Sequence, residues 1–135
     1  MKKVLVTGAS GFIAYHVIEN LINSNFDVLG VDLLEPEHPF EGCKYVKMNV
    51  VDLSEKELKG VDYIIHLACD TNIRNSIENP VSTTDNNLGI TIKLLSLATK
   101  LKIKKFLFPS TASMYGTNLI PWKEDMISNP GEPYS

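Results

Sequence analysis

The residue pattern with the clearest chemistry is a glycine-rich turn that follows the apolar run Val4-Leu5-Val6. Gly8 permits a tight turn because it has no Cβ, and Gly11 lets the main chain approach a pyrophosphate closely. Ala14 is small enough for the following helix to pack close to the strand. The free N–H groups in the first turn of that helix, together with its dipole, attract an anion. The spacing therefore predicts a phosphate site built from backbone.

A carboxylate at the end of the next apolar run supports this interpretation. The run Val28-Leu29-Gly30-Val31 ends at Asp32, and an acid about 20 residues after such glycines binds the ribose hydroxyls of a dinucleotide. The turn by itself would also fit an ordinary corner between a strand and a helix. No arginine or lysine lies between Asp32 and Gly42 to receive a 2′-phosphate, which favours NAD over NADP.

Length, composition and charge exclude several classes of protein. The chain has 135 residues, of which 44% are hydrophobic, and a formal net charge of -3. These values fit one domain with a substantial core and disfavour nucleic-acid binding. No apolar run is long enough for a membrane span, and no histidines have the spacing of metal ligands. Two distant cysteines, Cys43 and Cys69, without a signal peptide, predict reduced thiols in a cytoplasmic protein.

Apolar runs and helical periodicity predict alternating strands and helices. The predicted strands are Lys3–Thr7, Phe26–Asp32, Tyr45–Val51, Val61–Ala68 and Phe106–Pro109. The predicted helices run from Gly11 to Ile22, from Ser54 to Gly60 after a Ser54–Glu57 capping box, and from Asp85 to Lys102. Residues 33–42 and 70–84 are predicted loops.

Such alternation predicts an α/β fold with a doubly wound parallel sheet in strand order 3-2-1-4-5. Ligands of these sheets bind outside the carboxyl ends of the strands. Gly8, Asp32, Ala68 and Ser110 all follow strand ends, so we expect them to line one crevice.

The helix predicted over 85–102 carries two apolar stripes. Leu88, Ile92, Leu95 and Ala98 form one face, and Leu94, Leu97 and Leu101 form a second. Two stripes exceed what a helix on one sheet needs. The second stripe is predicted to pack either against a partner subunit, as in a homodimer, or against other parts of the same chain.

With these residues placed, the whole chain resembles the extended short-chain dehydrogenase/reductases, and within them the NAD-dependent nucleotide-sugar epimerase/dehydratase family. Thr7-Gly8-x-x-Gly11-x-x-Ala14 is similar to the family's cofactor fingerprint. The resemblance implies a Rossmann-like domain in which Phe12 and Ile13 lie under the pyrophosphate. It also implies that Asp32, followed by Leu33, holds the adenosine ribose of NAD.

Three further strings resemble cofactor-binding segments of the family. Met48-Asn49-Val50-Val51-Asp52 is similar to Gly-Asp-Ile-x-Asp, which implies that Asn49 and Val50 touch the adenine. His66-Leu67-Ala68-Cys69 resembles His-Leu-Ala-Ala, where the main chain at Leu67 and Ala68 passes the cofactor. Asn87-Leu88-x-x-Thr91 resembles Asn-Val-x-Gly-Thr, whose asparagine faces the cofactor. We assign His66 no chemical role from the sequence.

The catalytic residues are also implied by resemblance. Phe106-Leu107-Phe108-Pro109-Ser110-Thr111-Ala112-Ser113-Met114-Tyr115-Gly116 is similar to the family's Phe-Val-x-x-Ser-Ser/Thr-x-x-Val-Tyr-Gly. Thr111 matches the catalytic hydroxyl, Ser110 the cofactor-side residue before it, and Tyr134 the catalytic tyrosine. In the family, a catalytic lysine pairs with this tyrosine. Here it would come at the third residue after Ser135. The chain is therefore interpreted as the N-terminal portion, residues 1–135, of a longer enzyme, without its substrate domain and inactive alone.

The resemblance implies a UDP-hexose 4-epimerase-like activity, or a dehydrogenase activity, on a nucleotide sugar through a 4-keto intermediate. A 4,6-dehydratase is disfavoured because Ala112 and Ser113 stand where dehydratases carry an Asp-Glu pair. The alternative from another class is a non-catalytic, redox-sensing protein that binds NAD. Arg74, the only arginine, either meets a sugar or phosphate or is simply solvated.

Overall fold

The continuous apolar runs form one parallel sheet in the computed structural model, which describes residues 1–135. Its five strands lie in the order β3-β2-β1-β4-β5, so the predicted doubly wound order is confirmed. The strands are β1 (Lys3–Thr7), β2 (Asp27–Asp32), β3 (Cys43–Lys47), β4 (Tyr63–His66) and β5 (Lys105–Leu107). The helices are α1 (Phe12–Asn23), α2 (Ile73–Glu78) and α3 (Pro80–Lys100). None of them combines the length and apolar character needed to cross a membrane.

The two faces of the sheet have separate cores because successive strand residues point to opposite sides. On one face, Val4 and Val6 of β1 pack with Ala14 and Ile18 of α1. On the other face, Leu5 of β1 packs in the cluster that contains the buried residues of α3. The central strand β1 is therefore covered by α1 on one side and by α3 on the other.

Four of the five strands are shorter than predicted: β2 begins at Asp27, β5 ends at Leu107, and the largest differences are in β3 and β4. The strand predicted over 45–51 ends at Lys47, because Asn49 accepts a hydrogen bond from the Val51 N–H and starts a 3₁₀ turn at Val50–Asp52. The strand predicted over 61–68 is paired only from Tyr63 to His66, opposite the four residues of β1 from Val4 to Thr7. In both cases the neighbouring strand or a local cap sets the end.

The prediction of a loop over 70–84 is wrong. The segment contains α2 and the first turn of α3. Asn72 caps α2 by accepting the Asn75 N–H at 2.9 Å. Pro80 is the first residue of α3, a position where the missing N–H of proline costs nothing because that group has no helical partner.

The helix predicted after Ser54 is also absent, although its capping box is present. The Glu57 carboxylate accepts from the Ser54 N–H at 3.0 Å and from the Ser54 hydroxyl at 2.6 Å. Residues 55–60 form only turns. Gly60, at φ +77°, leads the chain directly into β4 before a second helical turn can form.

The two stripes of α3 have opposite environments. Leu94 and Leu97 of the second stripe are buried, and Leu101 packs against the same core, so this stripe lies within the chain. On the other stripe Ala98 is buried, whereas Leu88, Ile92 and Leu95 are 54%, 56% and 45% exposed. The unpartnered apolar face of α3 therefore consists of Leu88, Ile92 and Leu95.

Candidate functional site

The turn between β1 and α1 is fixed by close contact with β4. Gly8 adopts φ +69°, and a Cβ placed on it would lie 2.8 Å from the Ala68 nitrogen and 2.9 Å from the Leu67 carbonyl carbon. The N–H groups of Gly8 and Ala9 donate to the Val31 carbonyl at 2.9 and 3.3 Å. Only glycine fits this position, because both the backbone conformation and the space exclude a side chain.

The start of α1 has free hydrogen-bond donors. Gly11 precedes the helix without a side-chain cap, and the first bonded amide is that of Tyr15, which donates to the Gly11 carbonyl at 3.0 Å. The N–H groups of Phe12, Ile13 and Ala14 therefore have no partner within the chain. The side chains of Phe12 and Ile13 are 81% and 60% exposed. These residues fit the pyrophosphate of a dinucleotide, which would accept from the free amides.

Asp32 lies beside this turn, where the spacing predicted it. Its Oδ2 accepts from the Ser10 N–H at 2.9 Å, and its Oδ1 accepts from the Leu34 N–H at 3.0 Å. The Ser10 hydroxyl donates to the Leu34 carbonyl at 2.8 Å. The carboxylate is thus held in place with lone pairs left to accept ribose hydroxyls. Ser10 was missed by the sequence interpretation, although a hydroxyl inside the turn was the available signal.

The other residues predicted to lie at the adenosine are Leu33, directly after Asp32, and Asn49 and Val50, which follow β3. Leu33 is exposed directly after Asp32. The side-chain oxygen of Asn49 accepts a hydrogen bond from the Val51 N–H, and the Val50 side chain is buried in the core. Lys47 lies opposite Asp32 in the register of β2 and β3, with its ammonium 4.0 Å from a Glu35 oxygen. Lys47 lies outside the stretch from Asp32 to Gly42, whose lack of cations led to the preference for NAD over NADP.

The end of β4 is joined to α3 by Asn87. Its Oδ1 accepts from the Asp70 N–H at 2.8 Å, and its Nδ2 donates to the Asp70 carbonyl at 3.0 Å. Leu67 and Ala68 are half-buried between this contact and Gly8. The structure therefore brings Gly8, Ala68 and Asn87 to one end of the sheet.

His66, the last residue of β4, is buried next to Leu67 and Ala68. Its Nδ1 lies 2.7 Å from the Thr7 hydroxyl, and its Nε2 lies 3.0 Å from the Thr91 hydroxyl. Burial removes water from the ring and lowers its pKa from 6.5 to about 4. The sequence interpretation gave this residue no role, because the pairing of Thr7 with His66 depends on a register that the apolar pattern does not contain.

The proposed catalytic hydroxyl lies in a short 3₁₀ turn after β5. Thr111 caps this turn, Ala112–Tyr115, by accepting from the Ser113 N–H at 3.2 Å, and its hydroxyl lies 2.9 Å from that of Ser113. Ser110 is exposed and donates to the Met114 sulfur at 3.1 Å. Tyr134 is half-buried, and no hydrogen bond joins it to Thr111.

A closed loop separates Thr111 from Tyr134. The Asn129 N–H donates to the Met114 carbonyl at 2.8 Å, and Asn118 Nδ2 donates to the Ile127 carbonyl at 2.7 Å. Gly116, at φ +51°, lies against Asn129 so closely that a Cβ would overlap the Asn129 carbonyl oxygen. These contacts return the chain to the 3₁₀ turn at Ala112–Tyr115 before Tyr134.

Comparison with known proteins agrees with this geometry. A sequence model of the NAD dependent epimerase/dehydratase family matches residues 4–135. The chain belongs to this family. Its members depend on NAD, so the free amides after Gly11 and the carboxylate of Asp32 match the family's cofactor.

Relatives in the NAD dependent epimerase/dehydratase family include a putative UDP-glucose 4-epimerase of Methanocaldococcus jannaschii. It is 36% identical over 97% of this chain and 46% of its own length. The UDP-N-acetylglucosamine 4-epimerase of Methanobrevibacter ruminantium M1, solved with UDP-N-acetylmuramic acid, has TM-score 0.88 and 32% identity over 98% of this chain and 46% of its own.

A third relative was solved with the cofactor. The UDP-glucose 4-epimerase of Bifidobacterium longum, in complex with NAD+ and UDP, has TM-score 0.84 and 31% identity over 98% of this chain and 44% of its own. The chain thus spans just under half the length of these family members.

His66 makes the stability of the fold depend on pH. The unfolded chain binds a proton at His66 below about pH 6.5, whereas the folded chain does so only near pH 4. The unfolding free energy should therefore fall as pH is lowered from about 7 to about 5, and a His66→Gln variant should lack this part of the slope. Urea unfolding at several pH values measures the difference.

Measurement between about pH 5 and about pH 7 separates the effect of His66 on stability from that of the carboxylates. Hydrogen bonds to Ser54 and Lys104 lower the pKa values of Glu57 and Asp62 from 4.5 and 3.8, respectively. The stability that these two carboxylates contribute to the fold is therefore lost only at lower pH. Parallel profiles for wild type and His66→Gln between about pH 5 and about pH 7 would contradict the assignment to His66.

Proposed function

We propose that these residues form the dinucleotide-binding half of an NAD-dependent nucleotide-sugar 4-epimerase. The observation that carries the proposal is the Asp32 carboxylate, fixed by the Ser10 and Leu34 amides beside the free donors of α1. Because the relatives are longer, we assign recognition of the sugar to a C-terminal half outside these 135 residues.

NAD is assigned to the crevice between the glycine-rich turn and the ends of β2 and β4. The amides after Gly11, those of Phe12 and Ile13, would bind the pyrophosphate, and Asp32 with Leu33 would hold the adenosine ribose. Asn49 and Val50 would lie at the adenine. Leu67, Ala68, Asn87 and Ser110 would line the remaining wall. When bound there, NAD would supply the acceptor for a hydride from the sugar carbon and the donor for its return.

The proposed chemistry uses two hydroxyl groups of this chain. Tyr134 would take the proton of the sugar 4-hydroxyl as that carbon becomes a ketone, and would return it on reduction. Thr111 would donate a hydrogen bond to the developing oxyanion and hold the sugar in line. Inversion follows when the 4-keto sugar presents its opposite face before it is reduced.

The residues after Thr111 favour epimerisation or simple oxidation over dehydration. Elimination of water from C5 and C6 needs an additional acid and base. Ala112 has no titratable group, and the Ser113 hydroxyl is engaged with Thr111. The relatives named above act on UDP-sugars by their names, so we propose a UDP-sugar as substrate. A non-catalytic NAD-binding protein is the alternative that the kinetic test below separates.

The exposed stripe of α3 supports a homodimer. Leu88, Ile92 and Leu95 are about half exposed and follow helical spacing, so they form one continuous apolar strip. Such a strip on a helix surface is stabilised when two copies pack their helices together. We propose that a second copy of this chain covers it.

Replacement of Asp32 by alanine should weaken NAD binding by about tenfold or more, because the ribose hydroxyls and two backbone amides lose their acceptor. Isothermal titration calorimetry with the 135-residue chain measures this change. Asp27→Ala, exposed at the other end of β2, is the matched control and should leave the Kd within about twofold. Equal affinity of wild type for NAD and NADP would contradict the selectivity that we assign to Asp32.

Thr111→Val and Tyr134→Phe should each lower kcat by about a hundredfold or more in the full-length protein that carries this sequence, with NAD binding unchanged. Interconversion of UDP-hexoses is the assay. Tyr63→Phe, at the opposite end of β4, is the control. Full activity of both variants would favour the non-catalytic alternative, and turnover by the 135-residue chain alone would contradict the need for a C-terminal half.

Sedimentation should give the chain twice its 15.0 kDa mass. The double variant Leu88→Glu, Ile92→Glu should sediment as a monomer, because two carboxylates would be buried at the interface. Lys93→Glu, which changes an exposed residue outside the apolar strip, should remain a dimer. A monomeric wild type would overturn the proposed pairing of α3.

A further inference from the structure

His66 lies at the centre of a hydrogen-bonded row that crosses from the glycine-rich turn to α3. The imidazole is 1% exposed, and its ring stacks on Phe108 with centroids 5.6 Å apart and planes inclined by 20°. Thr7 is at its Nδ1 side and Thr91 at its Nε2 side. The mechanism proposed above makes no use of this buried group.

The direction of every hydrogen bond in this row is determined by its two ends. The Thr91 hydroxyl donates to the Asn87 carbonyl at 2.7 Å, so its oxygen can only accept from His66 Nε2–H. His66 Nδ1 is then unprotonated and accepts from the Thr7 hydroxyl. The Thr7 oxygen in turn accepts from the Ala68 N–H at 3.3 Å. One neutral tautomer of His66 satisfies all four hydrogen bonds of the row.

The row connects parts of the candidate site that are far apart in sequence. Thr7 directly precedes Gly8. The Ala68 nitrogen lies 2.8 Å from the position that a Cβ on Gly8 would occupy. Asn87, at the other end, holds the backbone of Asp70 through two hydrogen bonds. One imidazole therefore links the turn and the end of β4 to α3, in addition to the β1–β4 ladder and the Asn87–Asp70 bonds.

We propose that His66, as the neutral Nε2–H tautomer, is a positioning residue that holds the glycine-rich turn, Ala68 and Asn87 at the spacing a dinucleotide requires. This role rests on the proposed NAD site, but the tautomer is a property of the chain alone. The residue contacts no reacting atom. It acts through Thr7 on one side and Thr91 on the other.

The other protonation states of His66 break the row. A proton on Nδ1 would point at the Thr7 oxygen, which already receives the Ala68 N–H, and the Thr7 hydrogen would lose its acceptor. An unsatisfied buried polar group costs free energy. Desolvation by burial lowers the pKa of His66 to about 4, which keeps the ring neutral near neutral pH.

The first test is the tautomer itself, measured without any ligand. Long-range ¹H–¹⁵N spectra of the 135-residue chain, labelled at histidine and assigned with His66→Gln, distinguish the two ring nitrogens. We expect a protonated Nε2 and a bare, hydrogen-bonded Nδ1, unchanged as pH falls below 6.5, the ordinary histidine value. A protonated Nδ1 or a mixture of tautomers would overturn the proposal.

The second test asks whether the row positions the cofactor site. Thr7→Val and Thr91→Val keep the shape of the side chain and remove the hydroxyl, whereas Thr7→Ser and Thr91→Ser keep it. We expect calorimetry to show NAD binding weakened by roughly tenfold in both valine variants and by less than about threefold in both serine variants. Thr91 is informative because, of its two side-chain hydrogen bonds, the one to His66 leads to Thr7 and the turn, and the one to the Asn87 carbonyl stays within α3.

A third test separates positioning from general loss of stability. Leu58→Ala removes a buried side chain before β4, away from the carboxyl ends of the strands, and should lower the unfolding temperature without changing the Kd for NAD. If Leu58→Ala weakens NAD binding as much as Thr91→Val does, the positioning role is overturned. Wild-type chain that binds no NAD would overturn the proposed function. Wild-type binding with equal affinities in the valine and serine variants would overturn only the role of His66.

Discussion

The close approach of two backbones, at Gly8 and Ala68, is the constraint on which the rest of the site depends. With only 2.8 Å between the Ala68 nitrogen and the position of a Gly8 Cβ, the turn after β1 rests directly on the end of β4. The same turn is tied to β2 through the Val31 carbonyl. The path of the chain from Gly8 to Gly11, and hence the direction of the free amides of α1, follows from these contacts. A turn with more space beside Gly8 would not fix the direction of these amides.

The sheet was predictable because its inner strands are buried on both faces. Such strands appear as continuous apolar runs, and right-handed crossovers leave one arrangement around a central first strand. The ends of the elements were less predictable, because they depend on neighbours. Val61 and Ala68 belong to the apolar run of β4 but have no paired partner, since the paired part of β1 begins at Val4 and ends at Thr7. Likewise Asn49 ends the third strand through a contact with Val51 that the apolar pattern does not contain.

The candidate site shows the same division between local and distant information. Glycine spacing and the position of Asp32 are properties of short segments, and the structure places them together. The bond between Thr7 and His66 joins residues 59 apart, and that between His66 and Thr91 joins residues 25 apart. Such pairs become visible only when the register of parallel strands is known. A histidine opposite a threonine across β1 and β4 could then be recognised as a hydrogen-bonded pair rather than as a buried apolar ring.

The loop over residues 117–129 has a consequence for how members of this family diverge. Its two ends are fastened to the main chain near Met114 and Gly116, whereas Leu119, Ile120 and Ile127 project into solvent. Insertions, deletions and exchanges at the tip leave the fastening intact, so they do not displace the segment that carries Tyr134. A change of residue type or length at the tip can therefore reshape the outer surface here and leave the path of the chain after Asn129 in place.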